Sequence, residues 1–385
     1  MNRPSFFLLI GIIASVSSVI AAYDGSWTNN YTWTEAVGQT VTSAPTVPTV
    51  YRGNTVFKTK VGGTDNATVA IFSGGTVDVQ GLSSENALLK DDYGVFRLAV
   101  VDNATVTLSK QQYWYGKDCH FELVDGSVTG AGGILLGSSW NNKDDTIDIY
   151  GGTWTAPVQP NNWTKNDLDD KQAMRIYGGM FSPSSLLPKN SGSGYQFRVS
   201  TVVMAGGTFI CPSMKMNNGN HSRATWFTAE KGTSSILKLG DTSVVWAGVL
   251  TMEDASTIRL QQNVPGRDEC LSIATNLVGS GEIRIEGASL DLSNAICDSF
   301  TGTIALKSGK LELGSGKRFG EGAKIVLDYP ERTCSFKAVS WTRGAAPENV
   351  TFILSDALKQ KHCSIEIETD GVRLLSNRGF SLIVR

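Results

Sequence analysis

Asp144, Asp145 and Asp148 form one acidic group, and Asp167, Asp169 and Asp170, with Lys165, Lys171 and Arg175 beside them, form a second. Carboxylates gathered on a calcium ion with an Arg or Lys as base make a polysaccharide lyase, and two opposed carboxylates make a glycoside hydrolase. The candidate catalytic residues are therefore Asp144, Asp148, Asp167, Asp169, Asp170 and Arg175, and calcium is the one ion these residue types suggest. Both groups stand in polar, loop-like stretches, where a solvated charged loop is the ordinary outcome. The expectation is accordingly no catalysis and no resident cofactor. A serine hydrolase is disfavoured because no Gly-x-Ser-x-Gly elbow occurs. The Gly-Gly-x-Gly-x-Asp nonapeptide of calcium-binding β-rolls is also missing.

Aromatic rings offer a second chemistry. Tyr113, Trp114, Tyr115, Trp140 and Trp163, with Trp226, fall in polar or turn-rich surroundings, and flat rings suit sugars. Six cysteines are present, at 119, 211, 270, 297, 334 and 363, with no Cys-x-x-Cys pair. The three histidines, His120, His221 and His362, are dispersed, so no zinc site is expected. Cys270 and Cys297 lie one repeat apart and are disulfide candidates across adjacent coils, and Cys334 and Cys363 could staple the C-terminal end. Buried free thiols are the competing expectation for each.

The elements that must position these groups are read from a recurring tetrad. Gly-Gly-Thr-Trp at Gly151–Trp154 returns as Gly-Gly-Met-Phe at Gly178–Phe181 and Gly-Gly-Thr-Phe at Gly206–Phe209, with an earlier copy at Gly74–Val77. The last three copies lie roughly 27 residues apart, within the period range of repeat architectures. Each follows a short stretch such as Thr146–Tyr150 or Ala173–Tyr177, where apolar and polar residues alternate with the two-residue period of a half-buried strand. The glycines then turn the chain. Trp154, Phe181 and Phe209 occupy equivalent places and are expected to fill an aromatic core. A unit of two or three short strands cannot bury its apolar face alone, so stacked coils with long parallel sheets follow. A pair of β-sandwiches is the competing architecture, but it does not require a tetrad recurring at one phase. Roughly ten coils are expected. Helical signals are nearly absent, and Asn166–Met174 reads as a loop.

The apolar run from Phe6 to Ile20, followed by Ala21 and Ala22, reads as a cleaved export signal, shorter than the ~20 residues of a membrane span. Only 18% of residues are charged and the net charge is −2, which gives no footprint for nucleic acid or an anionic membrane. The expected organisation is signal peptide 1–22, N-terminal cap 23–60, parallel β-helix 61–328 and C-terminal β-rich capping module 329–385. In that module Ser364–Glu368 and Val372–Leu375 flank an Asp370-Gly371 turn signal, as in a hairpin.

Ser299–Gly314 followed by Phe319–Leu327, with a weaker copy at Leu277–Ser293, resembles an autotransporter-associated β-strand repeat. The resemblance implies a right-handed parallel β-helix in an exported, bacterial, surface-associated protein. The 329–385 stretch is too short for the barrel of at least eight ~10-residue strands that would translocate it. The chain is thus expected to be all-β. It is expected to act as a non-catalytic secreted or cell-surface β-solenoid with a structural, adhesive or glycan-binding role. Its partner would be a glycan or the cell-envelope surface, with no nucleic acid and no membrane span after signal removal. The alternative is a polysaccharide lyase or glycoside hydrolase of pectate-lyase-like fold that uses the Asp-rich loops.

Overall fold

The computed structural model describes residues 23–376, apart from 44, 60, 62–68, 81–88, 91–94, 116–117, 137–145, 161–172, 187–200, 213–225, 247, 331–334 and 343. The chain is nearly all β, a parallel solenoid of about nine turns. It divides into two compact units, 1–202 with 206–208, and 203–205 with 209–385.

In the first unit, Thr34–Val37, Thr49–Arg52, Val69–Ser73, Val95–Val101, Asp118–Leu123, Thr146–Ile149 and Ala173–Ile176 stack in parallel as the first sheet. A second sheet runs alongside it through Thr40–Val41, Thr55–Phe57, Thr76–Val79, Thr105–Leu108, Ser127–Thr129, Thr153–Trp154 and Met180–Phe181. A shorter third sheet joins Leu89–Lys90, Gln112–Tyr115, Ile134–Leu136 and Val158–Pro160. Parallel stacking thus begins at Thr34–Val37, inside the stretch read as a cap, because Thr34 already lies in register with Thr49.

The tetrad supplies the corner between first and second sheets. Gly152 has φ +67° and Gly179 φ +61°, backbone that a side chain strains. A Cβ at Gly152 would also sit 2.4 Å from the Gly126 carbonyl oxygen of the previous coil. The corner therefore demands glycine twice over, for its dihedral angles and for the close approach of neighbouring coils. Just past it, Trp154 lies in register with Val128 and Phe181. Trp154, Phe181 and Phe209 are each fully buried. Trp154 packs edge-on against Phe121 at 5.0 Å and donates its indole N–H to the Ala156 carbonyl at 2.9 Å.

In the second unit, the strands Ser234–Leu239, Thr257–Gln261, Glu282–Glu286, Thr303–Ser308, Arg318–Leu327 and Glu348–Leu354 form one parallel stack. Ser243–Trp246, Cys270–Ile273, Ser289–Leu292, Leu311–Leu313 and Phe336–Trp341 form another. Trp226–Ala229, Leu250–Met252 and Leu277–Gly279 complete the coils. In Thr257–Gln261 and Glu282–Glu286 the buried residues alternate strictly, as Ile258 and Leu260 and as Ile283 and Ile285.

Stacking runs past residue 328, since Phe336–Trp341 and Glu348–Leu354 are still parallel rungs. Only then does direction change: Gly371–Leu375 pairs antiparallel with Phe336–Trp341, and Ser364–Glu368 pairs antiparallel with Gly371–Leu375. A short α-helix, Asp356–Gln360, was not legible in the periodicity. It is started by Ser355, whose side chain accepts from the Leu358 N–H. A 3-10 turn at Gly25–Asn30 is capped in the same way by Asp24, which accepts from the Ser26 N–H.

Candidate functional site

Strand alternation and register together build a polar ladder on the outer face of the first sheet. In Asp118–Leu123, Phe121 and Leu123 enter the core and are fully buried, so His120 and Glu122 point the other way. Register sets His120 between Arg97 and Thr146, and Glu122 between Ala99 and Asp148, with Arg175 beyond Asp148. Four coils thus bring Arg97, His120, Glu122, Thr146, Asp148 and Arg175 onto one surface.

The part of that surface around Glu122 and Asp148 does not face water. The N-terminal segment from Tyr23 to Trp33, which precedes the first coil strand, lies across it. Trp27 packs with Val50, Val69, Ile71, Ala99, Val101 and Val124, and Tyr23, Tyr31 and Trp33 pack against the same cluster. The Trp27 indole N–H donates to Glu122 Oε2 at 2.8 Å. Arg97 sits 5.9 Å from the centre of the Trp27 ring, a cation–π contact. The Tyr23 ring meets Tyr150 edge-on at 5.1 Å, and Tyr150 stacks flat on Tyr177 at 4.8 Å. Thr146, Asp148 and Glu122 are all buried.

Asp148 Oδ2 accepts from the Thr146 hydroxyl at 2.6 Å and lies 3.9 Å from His120 Nδ1. Arg175 Nη1 stands 3.8 Å from Asp148 Oδ1, beyond hydrogen-bond reach, and Oδ1 is buried with no hydrogen-bond partner. Burial pushes Glu122 up to about 7. The Trp27 hydrogen bond and the charges of Arg97 and His120 oppose that rise, while the Asp148 charge adds to it. Burial and the nearby Glu122 hold Tyr23 well above the usual phenol range, and burial with Asp148 does the same to Tyr150.

Of the acidic candidates, the structure brings together Asp148 and Arg175. They form a closed ion pair, with Asp148 only 5% exposed at its side chain. Asp144, Asp167, Asp169 and Asp170 lie outside the described residues, as do Trp140 and Trp163. Tyr113, Trp114 and Tyr115 contribute backbone to the third sheet, where Tyr113 is in register with Leu135. Among the described residues, no group of three or more His, Cys, Asp or Glu side chains could hold a metal ion. None of their helices is long and apolar enough to cross a membrane.

The expected Cys270–Cys297 bridge is not formed: both are free thiols, as are Cys119, Cys211 and Cys363, while Cys334 lies outside the described residues. Cys270 is in register with Ser243 and Ser289, and Cys297 bridges instead to Phe319. The coil that follows Cys270 is shorter than the tetrad spacing and brings Ser289, not Cys297, beside it. Glu122, Trp27 and Tyr23 were missed by sequence reasoning, because 95 residues separate Trp27 from Glu122. Aligning the tetrads does, however, set Asp148 beside Arg175 and Tyr150 beside Tyr177, and that signal was available.

The fold and its outer ladder define the class: a parallel β-solenoid. Compared with known proteins, the chain matches no family model, no curated protein and no solved structure.

Proposed function

We propose that this chain is a non-catalytic, exported β-solenoid, retained at or near the cell surface, with a structural, adhesive or glycan-binding role. The observation that carries this reading is the closure of the ladder. Glu122 is spent on Trp27, and Asp148 on Thr146 and Arg175. A lyase or hydrolase would need such carboxylates presented to substrate. Export is supported by the Phe6–Ile20 run followed by Ala21 and Ala22. The likeness of Ser299–Leu327 to autotransporter-associated repeats supports a surface setting. A uniform scaffold with a low charge density suits repeated contact with neutral polymers better than electrostatic capture.

The test is a glycan array run together with turnover assays on acidic and neutral polysaccharides, with and without calcium. Saturable binding without product is expected. Product formation that disappears in Asp169→Ala would overturn the reading in favour of a pectate-lyase-like enzyme.

A further inference from the structure

We propose that Tyr23–Trp33 is a strap held on the outer face of the first sheet by a proton on the buried Glu122, and that the strap lifts when this proton leaves.

Three geometric observations converge. Glu122 and Asp148 are register partners on adjacent parallel strands, so their side chains rise from the same face about 4.8 Å apart at the backbone. Glu122 Oε2 accepts from the Trp27 indole, and Asp148 Oδ2 accepts from the Thr146 hydroxyl. Asp148 Oδ1 is buried without a hydrogen bond and has only the Arg175 guanidinium, 3.8 Å away, to offset its charge. A proton on Glu122 removes one of two like charges buried on neighbouring strands, as in other carboxyl pairs that hold a single proton. Loss of the proton to solvent leaves two buried anions on adjacent strands beneath an aromatic strap.

The groups facing Glu122 come from every element packed on it. The strap contributes Tyr23 and Trp27, and Val95–Val101 contributes Arg97. Its own strand contributes His120, Thr146–Ile149 with the following residue contributes Asp148 and Tyr150, and Ala173–Ile176 contributes Arg175 beyond Asp148. Arg97 and His120 favour the ionised form, but burial outweighs them. The ordinary value for the exposed carboxyl is 4.5, and the docked value is about 7. Strap docking is therefore strongest below pH 4.5 and is lost as pH rises through 7, falling about tenfold between pH 6 and pH 8.

The experiment is hydrogen–deuterium exchange on the full chain at pH 6 and pH 8, expressed as protection factors for peptides covering 23–33. A fall of about tenfold is expected there, with no change in Thr146–Ile149. In Glu122→Gln the amide accepts from Trp27 and carries no charge at either pH, so strap protection should stay flat. Asp148→Asn removes the neighbouring charge and should move the wild-type transition to lower pH. Equal strap protection at both pH values in the wild type overturns the proposal. So does a full pH-dependent loss in Glu122→Gln, or an unshifted transition in Asp148→Asn.

Discussion

A Cβ placed on Gly152 would lie 2.4 Å from the carbonyl oxygen of Gly126, one coil earlier. The residue also has φ +67°, so alanine there meets backbone strain and a backbone collision together. Gly232 has nearly the same angle, φ +71°, but nothing within 4 Å of its would-be Cβ. Gly232→Ala should cost about 1 kcal/mol, the left-handed penalty alone. Gly152→Ala should cost at least ~2 kcal/mol, because rigid carbonyls cannot move aside. Denaturant midpoints of the two variants read the difference directly, and equal losses would remove coil-to-coil contact as the reason for the tetrad.

Trp154 fills the turn of the core just beyond that corner. It is fully buried, packs on Phe121 and Phe181, and satisfies its indole through Ala156. Trp154→Ala should lower stability by about 3–5 kcal/mol, and Trp154→Phe by clearly less because a ring remains. Thermal melts followed by far-ultraviolet circular dichroism would show the order.

The thiols should sort by burial. Cys211 is fully buried, accepts from the Trp246 indole at 3.0 Å, and is pushed up to about 12 by burial. Cys297 is likewise pushed up to about 12 by burial. Thiolate is the reactive form, so iodoacetamide at pH 8 should spare Cys211, Cys297 and the buried Cys119 in the native state. Cys363, only partly buried, should be modified first. Peptide mass spectrometry before and after denaturation distinguishes the two sets.

Glu286 should give an acid-side dependence opposite in sign to that of Glu122. Burial raises it, but hydrogen bonds from Arg259 at 3.0 Å and Gln261 at 2.9 Å outweigh burial and leave it below the usual carboxylate range. A lowered value in the folded state means its contribution is present above pH 4.5 and disappears as pH falls through the folded value. Urea midpoints measured from pH 6 to pH 3 should decline less steeply in Glu286→Gln than in the wild type. Parallel declines would show that the ion pair carries no linkage.

The coils were legible because their causes are local. Gly-Gly corners, alternation in Thr146–Ile149 and aromatic residues after each corner all act within one repeat, and the repeat shows them several times. The hairpin at Ser364–Leu375 was legible for the same reason, through its Asp370-Gly371 turn. The extent of the coil was not, since Thr34–Val37 and Glu348–Leu354 carry no tetrad and join only through register with neighbours. The ladder was half legible: Asp148 and Arg175 were both singled out as candidates, with a solvated charged loop as the expected setting. What turned them into a closed structural site was the chain crossing over them. No periodicity encodes that crossing, because Trp27 finds Glu122 through apolar burial on Val69, Ile71 and Ala99. The Cys270–Cys297 expectation failed because coil length varies, so a fixed step in sequence is not a fixed step in space.

Because Tyr23 rests against Tyr150, the strap has its upstream end on the flank of the first unit, several rungs away from Thr34–Val37. A leader or fused tag joined there would be tethered sideways. Pulling on it would peel Tyr23 and Trp27 from their contacts one at a time before any rung of the sheet bore load. The first rung, Thr34–Val37, would remain unloaded until the strap had been stripped away.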